Sequence, residues 1–438
     1  MEGVGSALYT SHVKIYCSGI GGIGLSAYAA LQRSRGQSIS GSDHTESALI
    51  ADLRSQGIAV TLTQDGSAVP SDADLFVYSE AIPADAPERR RAAELKIPTR
   101  SYFAALGDLS RASRVIAVCG THGKSSTTAM STRVLLEAGL DPTIIVGTKL
   151  SELEGRNWRK GAGDLFLLEA CEYRRSFLHL SPDIILLTTA DGDHFDAFRS
   201  MEDYRQAFID FIDLLPADGV VLTHMGDPDC AVIVRQTHRR SIDVDGLALP
   251  TLSVPGAHMQ RNAQLVLGLS DVLALDRGAT LRALKGYAGC WRRMEVKGTI
   301  GDDIVVIDDY GHHPTEVRAT VGALHEAYGK RRLVVVFQPH MHDRTLKLYD
   351  AFTKAFYGAD LVVIADVYEA RKDVETARVD LKKFVQDIVE GSGVATLHGG
   401  SLTAVEQKLK GGGFLQPHDV VLFLGAGDIT TLASAMME

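Results

Sequence analysis

The chain has 438 residues, 45% hydrophobic and 23% charged, with a formal net charge of −10. That length exceeds one ordinary hydrophobic core, so two or three soluble globular domains are expected. The acidic balance argues against a nucleic-acid surface, and the basic run Arg89–Arg91 reads as a solvated helix face.

The five cysteines, Cys17, Cys119, Cys171, Cys230 and Cys290, include no CxxC pair, which suits reduced thiols in the cytoplasm. The first residues lack a basic region followed by an apolar core, and no apolar run approaches the ~18 residues of a membrane span. A cytoplasmic protein without membrane partners is the expectation.

Residues 13–43 begin as an apolar strand and turn through Gly19, Gly21 and Gly24 in GxGxxG spacing. A helix pattern follows, then a second strand ending near Asp43. Strand, glycine turn, helix and an acid about 20 residues on mark a dinucleotide-binding Rossmann unit. The glycines themselves specify only that backbone and a helix N-terminus approach a pyrophosphate, which a UDP-sugar offers as well as NAD does. A glycine-rich turn without a ligand is the plain alternative. Leu75–Tyr78 continue the alternation into Ser79-Glu80-Ala81-Ile82-Pro83, and Arg100 follows Ile97-Pro98-Thr99. The polar stretch 108–114 places a first boundary near residue 111.

Val115–Cys119 read as a strand that breaks at Gly120, and after Lys124 a Ser/Thr/Ala/Leu helix pattern runs to Gly139. In such a loop Gly120, Thr121, Gly123 and the helix N-terminus at Ser126 converge on phosphate. Lys124 reaches the terminal phosphates, and the Ser125 hydroxyl ligates magnesium. The general pattern wants a glycine where Val118 stands, so this is a narrower variant; the plain alternative is a solvated lysine after a turn.

That variant, GTHGKSS with His122 inside the loop, resembles the ATP-dependent Mur ligases, which add amino acids to UDP-muramic acid. The resemblance implies an α/β chain of three domains. These are a Rossmann-like N-terminal domain over 1–111, a central P-loop ATPase-like parallel sheet over 112–295, and a C-terminal Rossmann-like α/β domain over 296–438. It also implies that Gly19, Gly21, Gly22 and Gly24 hold a UDP pyrophosphate, with Asp43, Ser79 and Arg100 in the same UDP-sugar site. Glu80 departs from the family's SSAI turn.

Further along, Leu165–Leu168 end in Glu169-Ala170-Cys171-Glu172, and Ile184–Thr189 end in Ala190-Asp191-Gly192-Asp193-His194. Acids at consecutive strand ends, on the edge that holds Lys124, point to magnesium ligation. The family resemblance implies Glu169 and His194 as metal ligands beside Ser125, with substrate near Glu172 to Ser176. Thr188-Thr189 stand where the family commonly has Thr-Asn. Residues 255–263, PGAHMQRNA, resemble a family segment whose helix contacts adenine; Asn262 matches, Met259 departs, and a helix-capping role is the plain alternative for Asn262. Arg292 and Arg293 close the central domain, Arg293 on the ATP side.

The remaining strands end in Asp308-Asp309-Tyr310-Gly311-His312-His313-Pro314-Thr315-Glu316, in Gln338-Pro339-His340-Met341-His342-Asp343-Arg344-Thr345, and in Gly425-Ala426-Gly427-Asp428. Alternating strands and helices again indicate a parallel sheet with polar motifs at strand ends. Four histidines near Asp308, Asp309 and Asp343 allow a zinc or dinuclear hydrolase reading, which the spacing of HH and HxH does not favour. DDYGHHPTE, FQPH with RT after it, and GAGDI look closely like the family branch that adds L-alanine to UDP-N-acetylmuramate. That branch implies Asp308 for ATP, and Tyr310, His312, His340 and Arg344 for the amino acid. Met341 stands where many of those ligases have Arg, with His342 as a neighbour that could compensate.

The expected chemistry is ATP-driven amide formation in peptidoglycan precursor synthesis, with Lys124, Glu172, His194, His340 and Arg344 as catalytic residues. The muramyl carboxylate takes the γ-phosphate of ATP, and the amine of L-alanine attacks the acyl phosphate, after domain closure. The alternatives are addition of a peptide to the same acceptor, a non-catalytic nucleotide-binding member, and an NAD-dependent oxidoreductase, which leaves the P-loop unexplained.

Overall fold

The computed structural model describes residues 12–192, 197–369 and 377–438. His194 lies outside the described residues.

Five short strands form the first sheet: β1 Lys14–Ser18, β2 Ser38–Ser42, β3 Ala59–Thr61, β4 Leu75–Tyr78 and β5 Thr99–Ser101. They run parallel in the order β3-β2-β1-β4-β5. The chain fills one side of β1 and then the other, so the Gly19–Gly24 loop leaves β1 at the point where the strand order reverses. That crevice is where ligands bind in open α/β sheets.

The second sheet follows the same logic with β6 Arg114–Cys119, β7 Thr143–Leu150, β8 Arg156–Arg159, β9 Leu165–Glu169, β10 Ile184–Leu187, β11 Val220–Thr223 and β12 Arg240–Asp243. Its order is β12-β11-β10-β6-β9-β7-β8, with only β8 antiparallel to its neighbour. Val115–Cys119 of the central β6 are all fully buried, as expected for a parallel strand covered on both faces. The glycine loop 120–123 leaves its carboxyl end, again at the reversal of order.

A third sheet contains β13 Glu295–Ile300, β14 Ile304–Asp309, β15 Leu333–Phe337, β16 Leu361–Ala365, β17 Ala395–Gly400 and β18 Val420–Leu424. Their order is β13-β14-β18-β15-β16-β17, with β13 antiparallel and the rest parallel.

The chain divides into two compact units, one of Met1–Pro250 and Asn262–Leu284, the other of Thr251–Arg261 and Lys285–Glu438. Within the first unit, the two sheets share one continuous core. The helix Ile23–Ser34 shows why. Leu25 to Gln32 are buried without a break, because the helix packs against β2 on its own sheet and against β7 and β8 of the next. Its first turn is tied down by the Asn157 amide, which donates to the Ile23 carbonyl at 2.6 Å. A Cβ on Gly24 would lie 2.8 Å from the Tyr102 ring, so this third glycine of the fingerprint is required for packing against the helix Tyr102–Ser110.

The basic run behaves differently from its reading as a solvated face. Arg90 and Arg91 are exposed, but Arg89 is half-buried, with its guanidinium 3.9 Å from the Tyr78 ring centroid and a hydrogen bond to the Ile82 carbonyl.

Candidate active site

The second sheet's glycine loop ends at Gly123, which caps the helix Lys124–Glu137 in a left-handed conformation, φ 83°. Only glycine suits it for a second reason: a Cβ there would lie 2.6 Å from the Asn262 Oδ1. Asn262, on the helix Ala257–Val272, is thus packed against the glycine loop. Gly120 and Thr121 are buried, and so are Ser125 and Ser126 in the first helical turn.

The Lys124 ammonium folds back over the loop. It donates to the Gly120 carbonyl, to the Thr121 carbonyl at 3.2 Å, and to both carboxylate oxygens of Glu172 at 3.1 and 3.0 Å. Burial is the largest single influence and works against its charge, but Glu172, Cys171 and Glu169 together outweigh it and the Lys124 pKa is raised. Glu172 is itself fully buried, with both carboxylate oxygens on the Lys124 ammonium.

Two threonines from the end of β10 brace the same loop. Thr188 Oγ1 donates to the His122 carbonyl at 2.5 Å, and Thr189 Oγ1 accepts from the His122 N–H at 3.0 Å. The Thr189 carbonyl also takes the Thr121 N–H at 2.9 Å. The His122 ring lies 3.3 Å from an Asp191 carboxylate oxygen, and Thr121 Oγ1 bonds the Asp191 carbonyl and the buried Tyr204 hydroxyl.

Glu169, at the end of β9, keeps one carboxylate oxygen on the Gly147 N–H at 2.8 Å and is half-buried. A carboxylate and the Ser125 hydroxyl are oxygen donors of the kind a hard divalent cation takes, so the two described residues of the expected ligand set fit magnesium. Beyond Glu172, Arg174 and Arg175 both adopt left-handed backbone conformations, φ 51° and 56°. Arg175 is held there by Asp203 at 2.7 Å and Asp210 at 2.6 Å.

In the first sheet, Gly19, Gly21, Gly22 and Gly24 wrap the end of β1. The N–H groups of Gly19 and Ile20 both donate to the Ser42 carbonyl at 2.9 Å, and Gly21 donates to Asp43 Oδ2 at 2.8 Å. Ser79 approaches the same turn, its N–H on the Ser18 carbonyl at 2.9 Å. Arg100 is tied instead to Asp108, at 3.2 Å, and to the Thr99 carbonyl.

In the second unit three of the four expected amino-acid residues, Tyr310, His312 and His340, come together. The rings of Tyr310 and His312 meet at 5.3 Å, those of His312 and His340 at 5.7 Å, and His340 stacks on Tyr368 at 5.6 Å. Arg292 and Arg293 flank Tyr310, their guanidinium carbons 4.8 and 4.7 Å from the ring centroid. Arg292 is buried and donates to the Gly425 and Gly427 carbonyls, which joins GAGDI to this cluster. Gln338 adds a second link, donating to Asp428 at 2.7 Å and accepting from the Ile429 N–H at 3.1 Å. Arg344 is half-buried in the helix His342–Lys347. Asp308 is fully buried, and one of its oxygens accepts from Thr430 Oγ1 at 2.6 Å.

Comparison with known proteins gives the same architecture a lineage. Three family models match in order: the Mur ligase family catalytic domain over residues 14–114, the Mur ligase middle domain over 118–247, and the Mur ligase glutamate ligase domain over 292–427. The chain belongs to the Mur ligase family.

Among curated Mur ligases, the UDP-N-acetylmuramate--L-alanine ligase of Desulforapulum autotrophicum is 36% identical, covering 98% of this chain and 99% of that protein. The corresponding ligase of Persephonella marina is 34% identical over 97% and 96%. The crystal structure of the UDP-N-acetylmuramate-alanine ligase from Thermotoga maritima superposes with a TM-score of 0.81 at 30% identity, covering 97% of this chain and 98% of that one. A murein peptide ligase from Psychrobacter arcticus shares the fold, with a TM-score of 0.71 at 19% identity. Mur ligases are ATP-dependent amide-forming enzymes, and this chain carries their three-domain fold.

Two site-shaping residues carry no mark in the sequence. Tyr204, on the helix Met201–Ile212, and Tyr368 belong to no motif, and only their distance to one singles them out. Gln338 was visible as part of FQPH, but its role in joining two distant motifs was not.

Proposed function

We propose that this Mur ligase joins L-alanine to the carboxylate of UDP-N-acetylmuramate at the expense of ATP. The observation that carries the reading is full-length similarity at 34–36% to ligases of that name, together with a Tyr310–His312–His340 cluster in the second unit. Addition of a peptide to the same acceptor is the weaker reading, because the murein peptide ligase matches at 19% identity.

Joining a carboxylate to an amine in water is uphill, and phosphorylation of the carboxylate removes the difficulty. A muramyl carboxylate oxygen attacks the γ-phosphorus of ATP, ADP leaves, and an acyl phosphate remains. Two anions must approach each other, and Lys124 supplies positive charge among the loop N–H groups that face phosphate. A triphosphate competes with Glu172 for that ammonium. Magnesium, where bound, further screens the phosphate charge; Ser125 and Glu169 would hold it, together with His194.

The amine nitrogen of alanine then attacks the acyl carbon and phosphate departs. The amine must first lose a proton, and the His312 and His340 imidazoles are the bases at hand. Arg344 is the group suited to the alanine carboxylate. The UDP-sugar belongs to the loop 19–24 with Asp43 and Ser79.

The test is phosphate release that requires both ATP and UDP-N-acetylmuramate, measured with each of the twenty amino acids and with a muropeptide. L-Alanine alone should support turnover well. Release with the peptide and not with alanine would assign the other reaction.

A further inference from the structure

Glu88 is the second residue of the helix Pro87–Glu94 and is 1% exposed. Its carboxylate accepts three hydroxyl hydrogen bonds: Tyr16 on Oε1 at 2.6 Å, and Ser18 and Ser42 on Oε2 at 2.5 and 2.7 Å. The helix start offers it partial positive charge. Burial and Glu88 together hold the Tyr16 hydroxyl protonated, so it remains a donor. Taking a carboxylate out of water is costly, and apolar side chains could tie the strands at less expense. What the carboxylate adds is direction, since every hydroxyl that meets it must donate. The lone pairs of Ser42 Oγ are left to face the Gln64 amide, which donates to it at 3.1 Å.

The two serines are the last residues of β1 and β2, and the glycine loop hangs from them. Ser18 runs directly into Gly19. The Ser42 carbonyl takes the N–H groups of Gly19 and Ile20, both at 2.9 Å. Asp43, next in the chain, takes the Gly21 N–H at 2.8 Å and occupies the space where a side chain at 21 would project. One buried carboxylate therefore fixes both residues to which the loop is fastened.

We infer that Glu88 is a positioning residue for the sugar nucleotide, clamping the ends of β1 and β2 so that the Gly19–Gly24 loop presents its backbone to the pyrophosphate, an inference that rests on the reading of this loop as the UDP-sugar site. Removing the clamp should weaken the sugar nucleotide and leave ATP untouched, because Lys124 and the loop 120–123 hang from a different sheet.

The experiment uses the full chain and compares Glu88→Gln, Ser42→Ala and Gly21→Ala. KM for UDP-N-acetylmuramate, KM for ATP, kcat and thermal melting are measured for each. Glu88→Gln should raise the UDP-N-acetylmuramate KM about tenfold, with the ATP KM within about twofold of wild type. Ser42→Ala should show the same split more weakly, and it carries the test if Glu88→Gln does not fold. Lower melting with both KM values unchanged, or with both raised together, would make Glu88 a fold-holding residue only and overturn the inference. Gly21→Ala separates the two readings. If it raises the UDP-N-acetylmuramate KM while the clamp variants do not, the clamp fails alone; if none of the three changes it, the loop is not the sugar-nucleotide site and both fail.

Discussion

The Lys124 ammonium lies 3.0 and 3.1 Å from the two carboxylate oxygens of Glu172, and Glu172 is completely buried. The loop lysine is therefore more than a mobile charge over phosphate: it neutralises a carboxylate that has no access to water.

That pairing sets what substitution does. Lys124→Ala should abolish ATP-dependent phosphate release and also destabilise the chain by about 3 kcal/mol, because the buried Glu172 carboxylate loses the ammonium that faces both its oxygens. The double variant Lys124→Ala with Glu172→Gln should recover most of the lost melting temperature and none of the activity. Equal melting of the single variant and wild type would show that the ion pair contributes nothing to stability. Turnover by Lys124→Ala within tenfold of wild type would remove the lysine from the chemistry.

The loops were legible because chemistry fixes their composition. A turn that exposes backbone to phosphate needs glycine, and the residues beside it must be charged or hydroxylic, so GTHGKSS and the GxGxxG stretch announce themselves. Residues that support them through space carry no such mark. Glu88 sits in PERRR, where a carboxylate before three arginines reads as surface, yet it is buried under three hydroxyls. The shared core of the first two sheets was equally hidden. Residues 23–34 have the pattern of any Rossmann helix, and its second packing partner, β7 and β8, lies more than a hundred residues away in sequence.

The Thr189 hydroxyl accepts the His122 N–H at 3.0 Å. Thr189→Val keeps the shape and leaves that half-buried N–H without its acceptor, at a cost of about 1–3 kcal/mol. The ATP KM should rise at least several-fold while the L-alanine KM stays near wild type. Unchanged ATP kinetics would show that the brace does not shape the nucleotide loop.

Acid and neutral pH pull the second unit in opposite directions. Burial raises the Asp309 carboxyl to about 6, above its unfolded value, so its contribution is most favourable below pH ~4 and is lost as pH climbs through 6. Burial lowers His258 to about 4, so its contribution is present above pH ~6.5 and is lost as pH falls through 4. Each shift of about two units is worth roughly 3 kcal/mol. His258→Gln removes only the second effect, so between pH 6.5 and 4 the variant should lose less stability on acidification than wild type. Denaturant unfolding across that range checks it; parallel curves for the two proteins would show that His258 titrates normally.

The final prediction concerns Met341, close in sequence to the Arg344 proposed for the alanine carboxylate. His342 is engaged elsewhere, since its Nδ1 accepts the Val379 N–H at 3.1 Å and its Nε2 lies 3.2 Å from Glu369. Met341 itself has φ 65°, a left-handed backbone conformation that costs a non-glycine residue about 1–3 kcal/mol and persists only where surrounding structure enforces it. Its N–H on the Tyr368 carbonyl, at 2.8 Å, supplies part of that enforcement, and its carbonyl receives Thr345 from the next turn. The backbone is thus already set, and changing the side chain there need not move Arg344. A charged hydrogen bond to a carboxylate contributes about 1.5–3 kcal/mol, or roughly tenfold to a hundredfold in affinity. Met341→Arg should therefore lower the L-alanine KM by up to about tenfold with little effect on the ATP KM, whereas Arg344→Ala should raise it by about tenfold or more. If neither substitution alters the dependence on alanine, the carboxylate is not bound at the end of β15, and the roles assigned to His340 and Arg344 fall with it.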